Sequence, residues 1–262
     1  MRVGVFQCAG GGLTPHERLA RLAAAIGGGS FDLVVCPELF MSGYNVGEAL
    51  HELAEPRVGP FSRRAGELAS RCGTAIVYGY PERDGDLVYN SAACVGADGE
   101  TVANHRKTVL PPGFEPDHFA PGEGMTLFAL DGVRCAILIC YEAEFPESVR
   151  AAAEAGAQVV IVPTALSDRW PLVAHQMMPT RAFENGVWLL YANHGGRENC
   201  TTYLGASCLL APDGQDIARA GASEEFLAAD LDMARVTAAQ DRLPYVQDVK
   251  RLRRSLSDKT GS

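Results

Sequence analysis

Lysine is nearly missing from this 262-residue chain: Lys107, Lys250 and Lys259 stand among 23 basic residues, and the rest are arginines. None of the three completes a G-x-x-x-x-G-K-[ST] loop, which excludes a P-loop nucleotide site. The net charge of −9 denies the chain the basic face that a nucleic-acid backbone requires, so no nucleic-acid partner is expected. Long apolar runs are missing as well. A stretch such as Cys135-Ala-Ile-Leu-Ile-Cys-Tyr141 falls far short of the ~20 residues of a membrane span, and no membrane partner is expected. The opening Met1-Arg-Val-Gly-Val-Phe-Gln7 loses its apolar character too early for a signal peptide, so the expected location is cytoplasmic.

Several familiar sites are absent. No G-x-S-x-G marks a serine elbow. Gly10–Gly12 follows an apolar run but lacks the G-x-G-x-x-G spacing of a dinucleotide site. His51-Glu52 has no second histidine four residues after His51, so there is no zincin helix. The eight cysteines show neither C-x-x-C nor a histidine at zinc-site spacing. No metal or other cofactor is expected. In a reducing compartment most of these thiols should be small buried hydrophobes, which leaves the question whether one of them differs.

What remains is ordinary globular material, 47% hydrophobic and 21% charged, enough to build a core without staples. Apolar runs with strand character cover Arg2–Gln7, Asp32–Cys36, Thr74–Tyr80, Val88–Val95, Thr101–Arg106, Met125–Leu130 and Val133–Ile139. Further runs cover Gln158–Val162, Val187–Asn193, Tyr203–Leu210 and Phe226–Leu231. Asp84-Gly85, Asp98-Gly99 and Asp131-Gly132 supply turn signals. Helices are expected at Pro15–Ile26 (capped by Thr14 and stopped by the glycine run from Gly27), Phe61–Cys72, Phe145–Ala155 and Val173–Asn185. The β–α–β stretches Val3–Pro37 and Val133–Pro163 are built alike. With no linker or composition shift, the chain reads as one α/β domain over residues 1–262, two sheets with helices outside. Residues 236–262 read as a polar tail that wraps a neighbour or frays.

Three reactive groups stand at the ends of apolar runs: Glu38 after Leu33–Pro37, Lys107 after Thr101–Arg106, and Cys140 after Val133–Ile139. Ligands of α/β sheets gather at the carboxyl ends of strands. A carboxylate, an ammonium and a thiol meeting there suit acyl transfer. The thiol attacks a carbonyl as thiolate. The carboxylate takes its proton and returns it to the leaving nitrogen. The ammonium and a strand-to-helix backbone N–H, with Tyr141 the natural candidate, hold the oxyanion. Each residue also has a plain reading, as a solvated loop acid, a surface lysine or a buried thiol.

The segments Cys36-Pro-Glu-Leu-Phe40, His105-Arg-Lys-Thr108 and Ile139-Cys-Tyr-Glu-Ala-Glu-Phe-Pro-Glu147 resemble, in order, the three signature segments of the nitrilase superfamily of carbon–nitrogen hydrolases. Ala182-Phe-Glu-Asn185 and Tyr191-Ala-Asn193 are similar to it too. The resemblance implies an αββα sandwich pairing into at least a homodimer, with Glu38 as general base, Lys107 as oxyanion stabiliser and Cys140 as nucleophile. It also implies Glu115, in Pro112-Gly-Phe-Glu-Pro116, as a second glutamate, behind an unusually rigid Leu110-Pro-Pro-Gly113. Ser42-Gly-Tyr-Asn45, Tyr78-Gly-Tyr-Pro-Glu-Arg83 and Leu243-Pro-Tyr-Val246 resemble the aliphatic amidases, 5-aminopentanamidases and R-stereoselective amidases in particular. The implied partner is a small-molecule amide, hydrolysed through a thioester without a cofactor. Tyr44, Glu142, Glu144, Trp170 and Asn193 are the candidate substrate-binding residues. Either Glu142 or Glu144 would suit a substrate amine, although Glu144 would equally cap the following helix, and Trp170 would equally sit in a dimer interface. An N-carbamoyl amide hydrolase and an idle interaction module are the alternatives.

Overall fold

The computed structural model describes residues 1–257. Lys259 and the last residues of the expected tail lie outside them.

Along the chain run β1 (Arg2–Gln7), α1 (Pro15–Ile26), β2 (Leu33–Val35), α2 (Ala49–Leu53), α3 (Pro60–Cys72), β3 (Ala75–Asp84), β4 (Leu87–Val95) and β5 (Thr101–Arg106). Then come α4 (Phe114–His118), β6 (Thr126–Leu130), β7 (Val133–Ile137), α5 (Pro146–Glu154), β8 (Val159–Pro163), α6 (Met178–Asn185) and β9 (Trp188–Ala192). The last elements are β10 (Arg197–Glu198), β11 (Thr201–Thr202), β12 (Cys208–Leu210), β13 (Asp216–Arg219), β14 (Glu225–Asp230), α7 (Ala234–Arg242) and α8 (Tyr245–Ser257).

One sheet has the order β14-β1-β2-β3-β4-β5 and the other β13-β12-β9-β8-β7-β6, each six-stranded. In each, three neighbouring strands are parallel, β1-β2-β3 and β7-β8-β9, and antiparallel strands flank them. The two similar β–α–β stretches of the sequence are therefore the hubs of two similar sheets.

Strand periodicity makes the layers. Val3, Val5, Leu33, Val35 and Val77 face Cys135, Ile137, Val159, Ile161 and Leu190 of the other sheet in one buried cluster. The alternate residues Phe6, Val34, Ile76 and Tyr78 pack on Leu22, Phe61 and Leu68 of α1 and α3. Ala136, Val160, Val162 and Leu189 pack on Val149, Ala152, Met178 and Ala182 of α5 and α6. This is an αββα sandwich with apolar residues on both faces of each sheet.

Local chemistry accounts for the departures from expectation. Expected strand Tyr203–Leu210 shortens to Cys208–Leu210, because Gly205 and Ala206 adopt left-handed backbone (φ +68° and +53°). The helix expected from Val173 opens as a π-turn over Val173–Met177 and becomes α-helical at Met178, next to Pro179. The wider turn relieves the clash a proline ring makes with the carbonyl four residues earlier. The polar tail is helical and docked: Tyr245 meets the ring of Phe183 at 6.1 Å and Arg253 pairs with Glu154 at 2.8 Å. Among the described residues no helix is long and apolar enough to cross a membrane.

Candidate active site

Glu38 leaves the carboxyl end of β2 on a tight loop. Pro37 ends the strand, Leu39 is left-handed at φ +47°, and the Glu38 N–H donates to the Thr164 carbonyl at 3.3 Å. The loop runs directly over Gly79, whose N–H donates to the Pro37 carbonyl and whose carbonyl accepts from Met41. A Cβ at Gly79 would collide with the backbone of Pro37 and Leu39. Glycine there is what lets the Glu38 loop lie on β3.

Lys107 leaves the end of β5, its N–H donating to the Asn90 carbonyl at 2.8 Å. Its Nζ donates to Glu38 Oε1 at 2.7 Å and to Glu115 Oε1 at 2.5 Å, and none of the three side chains reaches solvent. Asn90 Nδ2 donates to Glu38 Oε1 at 2.8 Å and to Glu115 Oε2 at 3.3 Å, while the Tyr44 hydroxyl donates to Glu115 Oε1 at 2.9 Å. Burial alone would strip the ammonium of its proton, but Glu38 and Glu115 outweigh it and hold Lys107 well above its ordinary pKa. Burial and the charge of Glu38 push the Glu115 carboxyl up to about 7 against the pull of Lys107. Burial likewise keeps the Tyr44 phenol protonated far beyond its usual range.

Glu38 Oε1 is thus engaged twice. Its other oxygen, Oε2, is buried with no hydrogen-bond partner. An unpaired buried carboxylate oxygen is costly and marks a place where a proton can be received.

Cys140 follows β7 at a sharp turn. It is left-handed at φ +49°, a strained conformation for a residue with a Cβ, and opens a 3-10 turn over Cys140–Glu144. Thr164 and the Ala165 backbone hydrogen-bond toward its sulfur; burial and Glu38 push the thiol pKa up, and Lys107 opposes them. The resting group is a thiol rather than a thiolate, in reach of the fields of both Glu38 and Lys107. Thr164 meets the Cys140 sulfur with its side chain and the Glu38 loop with its carbonyl, so one residue joins the two sheets at the site.

Of the residues expected to bind substrate, Glu142 is engaged elsewhere. Its Oε1 accepts from the Thr108 N–H at 2.9 Å and the Thr108 hydroxyl at 2.6 Å; its Oε2 accepts from the Ile139 N–H at 2.7 Å and lies 2.9 Å from His105 Nε2. Burial raises its pKa, but these bonds overcome it and hold the carboxyl below its usual range. It clasps the Lys107 loop to the Cys140 turn. Asn193 is buried and also fully engaged: Oδ1 accepts from Leu166 and His194, and Nδ2 donates to the Leu166 and Gly205 carbonyls. Trp170 is 63% exposed, outside the cluster. Glu144 is half-buried; its backbone carbonyl accepts from Arg181 at 2.7 Å, and burial raises its carboxyl while Lys107 and Arg181 pull it down. Tyr44 is brought into the cluster through Glu115. The Tyr141 N–H lies in the first turn after Cys140, where helical amides lack an intrahelical acceptor.

Sequence reading missed Asn90, Thr164, His194 and Glu198. His194 is buried with its pKa depressed to about 3, chiefly by burial, so it is neutral and donates from Nε2 to the Glu38 carbonyl at 2.7 Å. Glu198 Oε2 accepts from the Tyr44 and Asn45 N–H groups and the Tyr203 hydroxyl, while Oε1 pairs with buried Arg18. Only a buried-strand ending, such as Val159–Pro163 before Thr164, hinted at any of these.

The sandwich and its buried acid–ammonium–acid cluster beside a strained thiol define a site built for acyl chemistry. The family model described as carbon-nitrogen hydrolase matches residues 2–241, and the chain belongs to that family. It is 40% identical over 252 residues to a Pseudomonas protegens protein named "Hydrolase in pqqF 5'region", covering 95% of this chain and 88% of that one. It is 32% identical over 251 residues to an (R)-stereoselective amidase of a Pseudomonas species, covering 95% and 91%. Its fold matches an amidase of the nitrilase superfamily from Nesterenkonia AN1 with a TM-score of 0.87 at 32% identity, covering 98% of this chain and 97% of that one. Other structures of the Nesterenkonia amidase hold butyramide, or the acetamide moiety of fluoroacetamide added covalently at the active-site cysteine.

Proposed function

We propose that this protein is a cysteine-dependent amidase that hydrolyses a small aliphatic amide to a carboxylic acid and ammonia. The observation that carries this reading is the division of labour within Glu38: Oε1 is tied to Lys107 and Asn90, and Oε2 is buried and free.

Glu38 Oε2 takes the Cys140 thiol proton as sulfur attacks the amide carbon. Lys107 Nζ and the Tyr141 N–H hold the developing oxyanion. The intermediate collapses as Glu38 returns the proton to nitrogen, and ammonia leaves a thioester on Cys140. Water then loses a proton to Glu38 and attacks the thioester; the acid departs and the proton returns to Cys140 sulfur. Glu115 acts through Lys107, holding the ammonium with its carboxylate, and Tyr44 holds Glu115. Glu142 and Asn193 act as positioning residues rather than substrate ligands. Glu144 is the carboxylate left to face a cationic substrate end, which favours an ω-amino amide such as 5-aminopentanamide.

The relatives that bear amidase names and the butyramide held by the Nesterenkonia enzyme support a linear amide substrate. We further infer a homodimer that covers the exposed Trp170, Leu172 and Phe183. Ammonia release from butanamide and 5-aminopentanamide, with Cys140→Ala as control, tests the reading. Carbon dioxide released alongside ammonia would instead mark a carbamoyl substrate, and full activity in a folded Cys140→Ala protein would refute the mechanism.

A further inference from the structure

The sequence excludes a zincin helix at His51, yet the fold brings a second histidine to it from 67 residues away. His51 lies in α2 and His118 at the end of α4, and His51 Nε2 faces His118 Nδ1 at 3.1 Å. The Glu48 carboxylate completes a group whose ligand atoms all lie within 4.8 Å of one another. Two nitrogens and a carboxylate oxygen are the donor set of an open, three-ligand transition-metal site. Metal–nitrogen bonds of about 2.0–2.1 Å close on nitrogens 3.1 Å apart at a bond angle of roughly 100°, which a tetrahedral or octahedral ion accepts.

The surroundings hold the ligands in place. The His118 ring packs on Phe114 at 4.4 Å, and the Arg83 guanidinium donates to the His51 carbonyl. Leu50 of α2 and Phe119 beside α4 share one buried cluster, so the two short helices are already docked. Both histidines are half-buried and Glu48 is exposed, which leaves an entry path for a hydrated ion.

We propose that Glu48, His51 and His118 form a binding site for a divalent transition-metal ion of the zinc or cobalt type, pinning α2 to α4. The site is separate from the acyl chemistry, since none of its ligands touches Glu38, Lys107 or Cys140. It shares a helix with it: Glu115 stands three residues before His118, so a bound ion would fix the helix that holds Lys107.

Co2+ titration of the full-length protein, followed by visible absorption, tests this directly. One Co2+ should bind per chain with a nitrogen–oxygen spectrum and no near-ultraviolet thiolate band. His51→Gln and His118→Gln should each weaken binding more than about tenfold, as loss of a ligand does. Zn2+ should raise the unfolding temperature of the wild type and of neither variant, because an ion bound only to the folded state stabilises it. Failure to bind, undiminished binding in both variants, or a thiolate band would each overturn the proposal. The last would place the ion on a cysteine such as the exposed Cys200.

Discussion

The Lys107 ammonium donates to Glu38 Oε1 at 2.7 Å in a site where neither side chain meets water, and this contact leaves Glu38 with a single free oxygen. Glu38→Gln keeps an acceptor for Lys107 but removes the base. kcat for ammonia release should fall about 10²–10⁴-fold, the usual contribution of a general acid–base group, with the circular dichroism spectrum unchanged. A variant with more than half the wild-type kcat contradicts the role.

Glu115 is tested by its proton. Its carboxyl stands at about 7 in the folded protein against an ordinary 4.5, from burial and the charge of Glu38. Between those values the folded chain keeps a proton that the unfolded chain has released. The stability this contributes is complete below pH 4.5 and is lost as pH rises through about 7. Glu115→Gln cannot titrate, so its unfolding temperature should fall less than the wild type's across that window. Parallel curves for the two proteins would count against the assignment.

Much of this was legible beforehand, for identifiable reasons. The hubs β1-β2-β3 and β7-β8-β9 are continuous apolar runs separated by capped helices, and β6-β7 is announced by Asp131-Gly132. The three signature segments each end on a residue that reaches the site. The missed elements are short and lack local signals: α2 and α4 span five residues each with no side-chain cap, and β10 and β11 are two residues long. The partners of the cluster are invisible for a different reason. Asn90 lies 52 residues from Glu38 and Glu198 lies 154 from Tyr44, so only the packed sheets bring them together. Glu142 and Asn193 were misread because a motif fixes proximity to Cys140 but not where the side chain turns.

Glu198 separates positioning from chemistry. Glu198→Ala strands the Arg18 charge in the core and frees the Tyr44 loop; it should cost about 3–5 kcal/mol of stability. Tyr44→Phe deletes only the hydroxyl on Glu115 and should lower kcat with little loss of unfolding temperature. Denaturant unfolding and ammonia release on both variants check this pair, and the opposite pattern would refute it.

Glu144 should set the preference for a charged acyl chain. Charge-assisted hydrogen bonds are worth about 1.5–3 kcal/mol. Glu144→Gln should therefore reduce kcat/KM for 5-aminopentanamide about ten- to hundredfold while sparing pentanamide. An equal loss on both substrates would make Glu144 a structural residue.

The central claim, that Cys140 carries the acyl group between two half-reactions, is tested most directly by quenching the enzyme during turnover of butanamide and weighing the intact protein and its peptides. The account expects a butanoyl adduct on the Cys140 peptide that forms with ammonia release, decays with butanoate release and never appears in Cys140→Ala. An adduct on another residue, or steady ammonia release by a folded Cys140→Ala protein, would contradict it.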